Sequence, residues 1–198
     1  MEKGTVGLLI GPPEPTMGLK GGHVFPISLD CHLPLASLLG QEGQGFRTAM
    51  KVLDNGRIEV AAMCLGIAGA ALDAAKTYAA ERQIGGTPLN DFQGLSWMLA
   101  DMDTDLAAAR ALTLEAARCR AMGTGQARAA AQAKLFASEM AARVTDKALQ
   151  LHGGYGYSTQ LPLERYVRDV RIMRIYEGSS EIQRNIIAAY LMAARKDG

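Results

Sequence analysis

Two patterns of apolar spacing divide the chain. In the first 43 residues, short apolar runs such as Val6-Gly7-Leu8-Leu9-Ile10 and His23-Val24-Phe25-Pro26-Ile27 are bounded by glycine and proline. Runs of that kind predict strands separated by turns. Only two or three strands fit, too few to bury a sheet alone. From Gln44 onward the apolar residues recur every three or four positions, the period of a helix face. A short helix is predicted from about Gln44 to Leu53, with a break at Asp54-Asn55-Gly56. A long helix follows from about Arg57 to Gln83, whose face carries Ile58, Ala61, Leu65, Ala68, Leu72 and Ala75. Gly66 and Gly69 cost this helix about 1 kcal/mol each relative to alanine, and small residues there let another helix approach closely.

Gly85-Gly86-Thr87-Pro88 ends that helix, and Asn90 or Asp91 is the expected cap of the next. The next repeats Leu95, Leu99, Met102, Leu106, Ala109 and Leu112 and runs to about Met122. A turn at Gly123-Thr124-Gly125 leads into an alanine-rich helix from about Gln126 to Leu151. The run Gly153-Gly154-Tyr155-Gly156-Tyr157-Ser158 predicts a loop, Pro162 starts a short helix to about Val170, and a last helix spans roughly Ser179 to Ala194. Long helices joined by short turns favour antiparallel neighbours. The expected fold is therefore mainly α, an antiparallel four-helix bundle (44–198) preceded by a small incomplete β segment (1–43).

Composition narrows the class of function. A chain of 198 residues is long enough for one buried core. Its 21 basic and 20 acidic residues nearly cancel, so no electrostatic footprint for nucleic acid exists. The odd number of cysteines (Cys31, Cys64, Cys119) and the lack of ligand-spaced histidines predict reduced thiols, no metal site and a reducing, cytoplasm-like compartment. Cys31 beside His32 would point to the opposite face of a strand. No secretory pattern and no apolar run of roughly 18 residues is apparent, so a soluble protein is expected.

Motifs carry the rest. Leu39-Gly40-Gln41-Glu42-Gly43-Gln44-Gly45-Phe46 is followed by Leu53-Asp54-Asn55-Gly56-Arg57, and then by Glu81-Arg82-Gln83 through Phe92-Gln93. A third stretch runs from Gln150-Leu151-His152-Gly153-Gly154-Tyr155-Gly156 to Arg174-Ile175-Tyr176-Glu177-Gly178-Ser179-Ser180-Glu181-Ile182-Gln183-Arg184. In this order and spacing, they resemble the C-terminal half of the acyl-CoA dehydrogenase family, most closely its short- and medium-chain members, over nearly the whole chain. The resemblance implies an FAD-dependent enzyme that removes a proton from Cα of an acyl-CoA thioester while hydride leaves Cβ for the flavin. The Tyr-Glu-Gly element places the base at Glu177. A water-exposed glutamate, with a pKa of about 4.3, is a weak base; burial against apolar groups would raise it. A backbone amide at the glutamate would polarise the thioester oxygen.

By the same resemblance Asp54, Arg57, Tyr176 and Gly178 are substrate-binding positions, Asp54 and Arg57 toward the nucleotide end of CoA. Arg82, Gln93, Gln150, Gly153 and Gly154 match contacts to the FAD diphosphate and adenosine, several of them reaching a neighbouring subunit. Ser179 and Glu181 match further FAD contacts at a helix start, where free amides favour anions. Some have a plainer local reading: Glu177 opening a helix, Asp54 as a cap beside Arg57 starting the next helix, Arg82 as a solvated helix-end cation. Some family members carry the base one residue before the arginine matched by Arg57; here that position is Gly56. The family's aromatic before Gly86 is replaced by Gly85, and the strand at Gly21-Gly22-His23-Val24 lacks the usual hydroxyl residues.

The resemblance further implies an acyl-CoA substrate, electron-transferring flavoprotein as electron acceptor, and a homo-oligomer (dimer or tetramer). The family's N-terminal helical domain and the first half of its β-domain have no counterpart before Met1, as in a truncated reading frame or a subunit completed by a partner. A non-catalytic assembly module is the alternative, and a desulfinase or nitroalkane oxidase relative a third reading.

Overall fold

A computed structural model describes residues 2–193. The chain forms two compact units, Met1–Val52 and Leu53–Gly198. In the first, β1 (Leu8–Ile10) and β2 (Ile27–Leu29) pair antiparallel, Leu8 opposite Leu29 and Ile10 opposite Ile27. The second apolar run thus enters its strand only at its end, and Cys31 and His32 follow the strand rather than lying in it. Two short strands leave most apolar side chains of this unit in solvent: Leu9, Ile27 and Leu29 are all exposed.

The helices are α1 (Gly45–Glu81), α2 (Gln93–Met122), α3 (Gln126–His152), α4 (Gly154–Tyr157), α5 (Leu163–Arg171) and α6 (Ser180–Ala193). Between α1 and α2 lie β3 (Gln83–Ile84) and β4 (Thr87–Pro88), a hairpin turned by Gly85 and Gly86 at φ 59° and 85°. Both central residues in left-handed backbone is what a tight two-residue hairpin demands. The glycine that stands in place of an aromatic is thereby accounted for.

Three expectations change. The break at Asp54-Asn55-Gly56 does not occur, and α1 is a single helix of 37 residues. The polar triplet is used sideways instead: Arg57 Nη1 donates to Asp54 Oδ1 at 2.6 Å, and Gln126 Nε2 donates to Asn55 Oδ1 at 3.0 Å. Neither Asn90 nor Asp91 caps α2. Leu89–Asp91 form one 3-10 turn, and Phe92 precedes the helix without a side-chain cap bond. The expected loop at Gly154–Tyr157 is one helical turn, α4. The other helix boundaries fall within two residues of expectation, and Ala194 lies outside the described residues.

Short turns make α2 antiparallel to α3, and two ion pairs fix their register. Asp105 meets Arg143 at 2.9 Å and Asp101 meets Lys147 at 3.2 Å, one turn back in α2 matching one turn forward in α3. Between α1 and α3 the order is the same in both helices: Asn55, in the first half of α1, meets Gln126 at the start of α3, and Tyr78 stacks on His152 near the ends of both, ring centroids 4.3 Å apart. α1 and α3 therefore run parallel, with α2 reversed. Their common core is built from small residues with no exposure, including Ala61, Ala68, Ala71, Ala75 and Ala79 of α1 and Ala130, Ala133, Ala137 and Ala141 of α3, with Met102 and Met140 filling the larger gaps. Alanine faces of this kind let helix axes approach closely, as those of α2 and α3 do. By length and composition α1 also contains a stretch apolar enough to cross a membrane, which the expectation of no such run had missed; part of that stretch is buried within the protein.

Candidate functional site

Between the short helical turn ending at Arg174 and the start of α6, five residues form a bend, and Glu177 sits in it with φ 54°, followed by Gly178 at φ 88°. Left-handed backbone at a residue other than glycine costs about 1–3 kcal/mol, so something must hold it. Four hydrogen bonds do. The Glu177 carbonyl accepts from Arg57 Nε (3.3 Å) and Gln183 Nε2 (3.2 Å); the Gly178 carbonyl accepts from Lys134 Nζ (2.6 Å) and Gln183 Nε2 (2.8 Å). Glu177 lies three residues outside α6, whose first-turn carboxylate is Glu181. The reading of Glu177 as a helix opener does not fit this geometry.

The Glu177 carboxyl rests against α1 at Gly56. A Cβ built on Gly56 would stand 2.6 Å from Glu177 Oε2 and 2.9 Å from its carboxyl carbon. A Cβ there would force the end of the Glu177 side chain to shift, so a glycine inside the long helix leaves the carboxyl where it is. The position is also the one from which some members of the resembled family project their base.

Around the bend the electrostatics are tightly drawn. Arg57 is buried, 5% exposed, between Asp54 and the Glu177 carbonyl. Tyr176 donates its hydroxyl to Met173 Sδ at 3.1 Å, and burial, then Cys64 and Glu177, push its phenol above the ordinary value. Lys134 has no exposure at all; burial pulls its ammonium below the usual lysine range, and Arg57 adds to this against Cys64, Glu139 and Glu177. Burial likewise pushes the Cys64 thiol up to about 12, which makes it inert. Glu139 of α3 staples both flanks of the bend, accepting from Ser180 Oγ at 2.6 Å and Arg174 Nη1 at 3.2 Å. Burial raises that carboxyl, yet the bonds from Ser180 and Arg174 outweigh it and hold it below its ordinary value. Lys134, Gln183 and Glu139 were not singled out from sequence. A signal existed for Lys134: it stands among Ala130, Ala137, Ala141 and Ala148, on the apolar stripe of α3.

The residues matched to cofactor contacts separate into two places. Arg82, Gln150, Gly153 and Gly154 line one cavity of about 790 Å³ where the C-terminal ends of α1 and α3 meet, together with Tyr78, His152 and Tyr155. Gly153 has left-handed φ (58°), and neither it nor Gly154 presents a side chain to the space. His152 Nδ1 lies 2.7 Å from the Ala148 carbonyl, to which it donates in the matching tautomer. Ser179 and Glu181 instead lie at the start of α6. Ser179 Oγ accepts from the Ile182 amide at 3.5 Å, and its hydroxyl holds the Glu181 carboxyl below the usual value. Gln93, exposed at the start of α2, is outside the cavity lining. A cation, an amide side chain, unobstructed glycine backbone and aromatic faces suit a phosphate-linked heterocycle.

Comparisons with known proteins follow the same lines. Residues 43–192 match the family described as acyl-CoA dehydrogenase, C-terminal domain. The acryloyl-CoA reductase (NADH) of Anaerotignum propionicum is 47% identical over 97% of this chain and 49% of its own length. The short-chain specific acyl-CoA dehydrogenase of Clostridium acetobutylicum is 44% identical over 95% and 50%. Among solved structures, butyryl-CoA dehydrogenase from Megasphaera elsdenii superimposes with a TM-score of 0.95 at 43% identity, covering 97% of this chain and 50% of that one. The chain thus spans about half the length of these relatives.

Proposed function

This chain belongs to the acyl-CoA dehydrogenase family through its C-terminal domain, and from that premise we propose that it is the part of an FAD-dependent acyl-CoA dehydrogenase that carries the catalytic base, Glu177. The observation that carries the reading is the Glu177 carboxyl laid against Gly56 by a left-handed bend that four hydrogen bonds hold. A general base must be fixed within hydrogen-bond reach of the proton it takes. Glu177 takes the α-proton of the thioester. The Glu177 amide is the donor for the thioester oxygen as enolate character develops, and Gly178 lets the chain come close to it. Asp54, Arg57 and Tyr176 form the substrate side, with Arg57 held by Asp54 and in turn holding the base's carbonyl.

FAD, when bound, supplies the acceptor for the hydride that leaves Cβ. Arg82, Gln150, Gly153 and Gly154 would hold its diphosphate and adenosine in the cavity between α1 and α3, with Gln93 nearby in sequence. Ser179 and Glu181 would hold flavin groups near the base. Two separate places on one chain fit a cofactor shared between subunits of a dimer or tetramer, and an electron-transferring flavoprotein would take the electrons onward.

The relative named acryloyl-CoA reductase favours a second direction for the same site. Run in reverse, the Glu177 carboxyl gives its proton to Cα of an enoyl-CoA. A flavin-free assembly module is the remaining contrast, and absence of flavin absorbance in the purified, assembled protein would select it.

The test is Glu177→Gln in the flavin-loaded enzyme that contains this chain together with the half of the relatives it does not span. Turnover of acyl-CoA falls by about 10²–10⁴, the range for losing a general base, with flavin absorbance retained. A variant that turns over at the wild-type rate removes Glu177 from the mechanism.

A further inference from the structure

Lys134 is the largest fully buried side chain in the described residues. A buried ammonium is costly to desolvate and is normally paired with a carboxylate. This one spends its 2.6 Å hydrogen bond on a backbone carbonyl, that of Gly178. The choice has a geometric consequence. The carbonyls of the left-handed pair, Glu177 at φ 54° and Gly178 at φ 88°, each receive two side-chain donors. The donors come from three helices: Arg57 from α1, Lys134 from α3 and Gln183 from α6. Gln183, itself fully buried, bridges both carbonyls with one amide nitrogen. Rotating either peptide out of this arrangement would strand a buried donor and also move the carboxyl off Gly56.

We infer that Lys134 is a positioning residue for Glu177: its buried ammonium, sharing the Gly178 carbonyl with Gln183, keeps Glu177 in the left-handed backbone that lays its carboxyl against Gly56. Lys134 acts on the peptide and not on the substrate, so it governs how often the base is in place rather than how tightly the thioester binds. The inference rests on Glu177 being the base for its kinetic consequence alone; the clamp itself is a property of the fold.

Lys134→Met keeps the stem and removes the donor. Amide hydrogen exchange in the 198-residue chain reads the clamp without flavin: the amides of residues 175–183 exchange about tenfold faster or more, while those of α2 and the middle of α3 are unchanged. In the flavin-loaded enzyme the same variant lowers kcat by about tenfold to a hundredfold, the scale of a small misplacement of a reacting group, with KM and flavin content within about twofold. Gln183→Leu removes a donor from both carbonyls and gives the same local exchange pattern; it decides the matter if Lys134→Met does not fold. Unchanged exchange at 175–183 overturns the inference, as does acceleration spread evenly over the bundle, the mark of a merely structural lysine. Faster local exchange with full turnover in Glu177→Gln leaves the clamp standing and rejects the base.

Discussion

At the scale of single residues, Gly56 and Glu177 are one feature written at two places in the chain. The glycine leaves room for a carboxyl that a methyl would push aside. Gly56→Ala should therefore separate stability from activity. Alanine improves helix propensity by about 1 kcal/mol, but its methyl displaces the Glu177 carboxyl, and turnover should fall by up to about 10²-fold. Thermal unfolding and steady-state rates measured together check this; an alanine variant of full activity would place the carboxyl elsewhere. A candidate base at Glu177 was legible from the Tyr-Glu-Gly element, and Gly56 from its place before Arg57. Their contact was not, because 120 residues separate them and no local period links a helix interior to a distant bend. Lys134 was hidden for a related reason: a lysine on an alanine stripe looks like a solvated interruption until its carbonyl partner is seen.

Among the elements, α1 shows what local reading overestimates. Asp-Asn-Gly is a strong break signal in an isolated segment, yet a bond within the helix from Arg57 to Asp54, the tertiary bond from Gln126 to Asn55 and the fit of Gly56 against Glu177 outweigh it, and the helix continues. The C-terminal ends of α2 and α3 and the start of α5 were legible because Gly123, Gly153 and Pro162 mark them whatever the surroundings. Gly156 of α4 makes a sharp case for packing: an added Cβ would lie 2.4 Å from the Leu149 carbonyl oxygen. Gly156→Ala should destabilise the bundle by about 1–3 kcal/mol, read as a lower midpoint in denaturant, whereas alanine at exposed Gly94, which meets nothing within 4 Å, should not lower it. Glu139 adds a pH dependence. Its carboxyl lies below its ordinary value of 4.5 in the folded protein, so its bonds to Ser180 and Arg174 contribute fully above that value. That contribution fades as pH falls through the lowered pKa. Glu139→Gln should make stability less sensitive to acid below about pH 4.5, checked by denaturant midpoints across that range.

For the molecule as a whole, burial divides the chain unevenly. No buried hydrophobic side chain among the described residues precedes Ile58, while α1, α2 and α3 beyond it share a continuous core. Limited proteolysis of the chain should thus cut first within residues 2–52 and leave a resistant bundle; early cuts inside α2 or α3 would contradict the division. The composition shifts near residue 44, ahead of the first buried apolar side chain, and the strands could be placed only roughly, since a two-stranded ribbon leaves its apolar residues unpaired with any face. The central claim is that the Glu177 carboxyl takes the α-proton from beside Gly56. Its most direct measurement is deuterium wash-in at Cα of an acyl-CoA in D₂O, followed by NMR with the flavin-loaded enzyme. Exchange should be lost in Glu177→Gln and partly return in Gly56→Glu/Glu177→Gly, where the carboxyl projects from the opposite backbone into the same space. Exchange at the wild-type rate in Glu177→Gln would contradict the account.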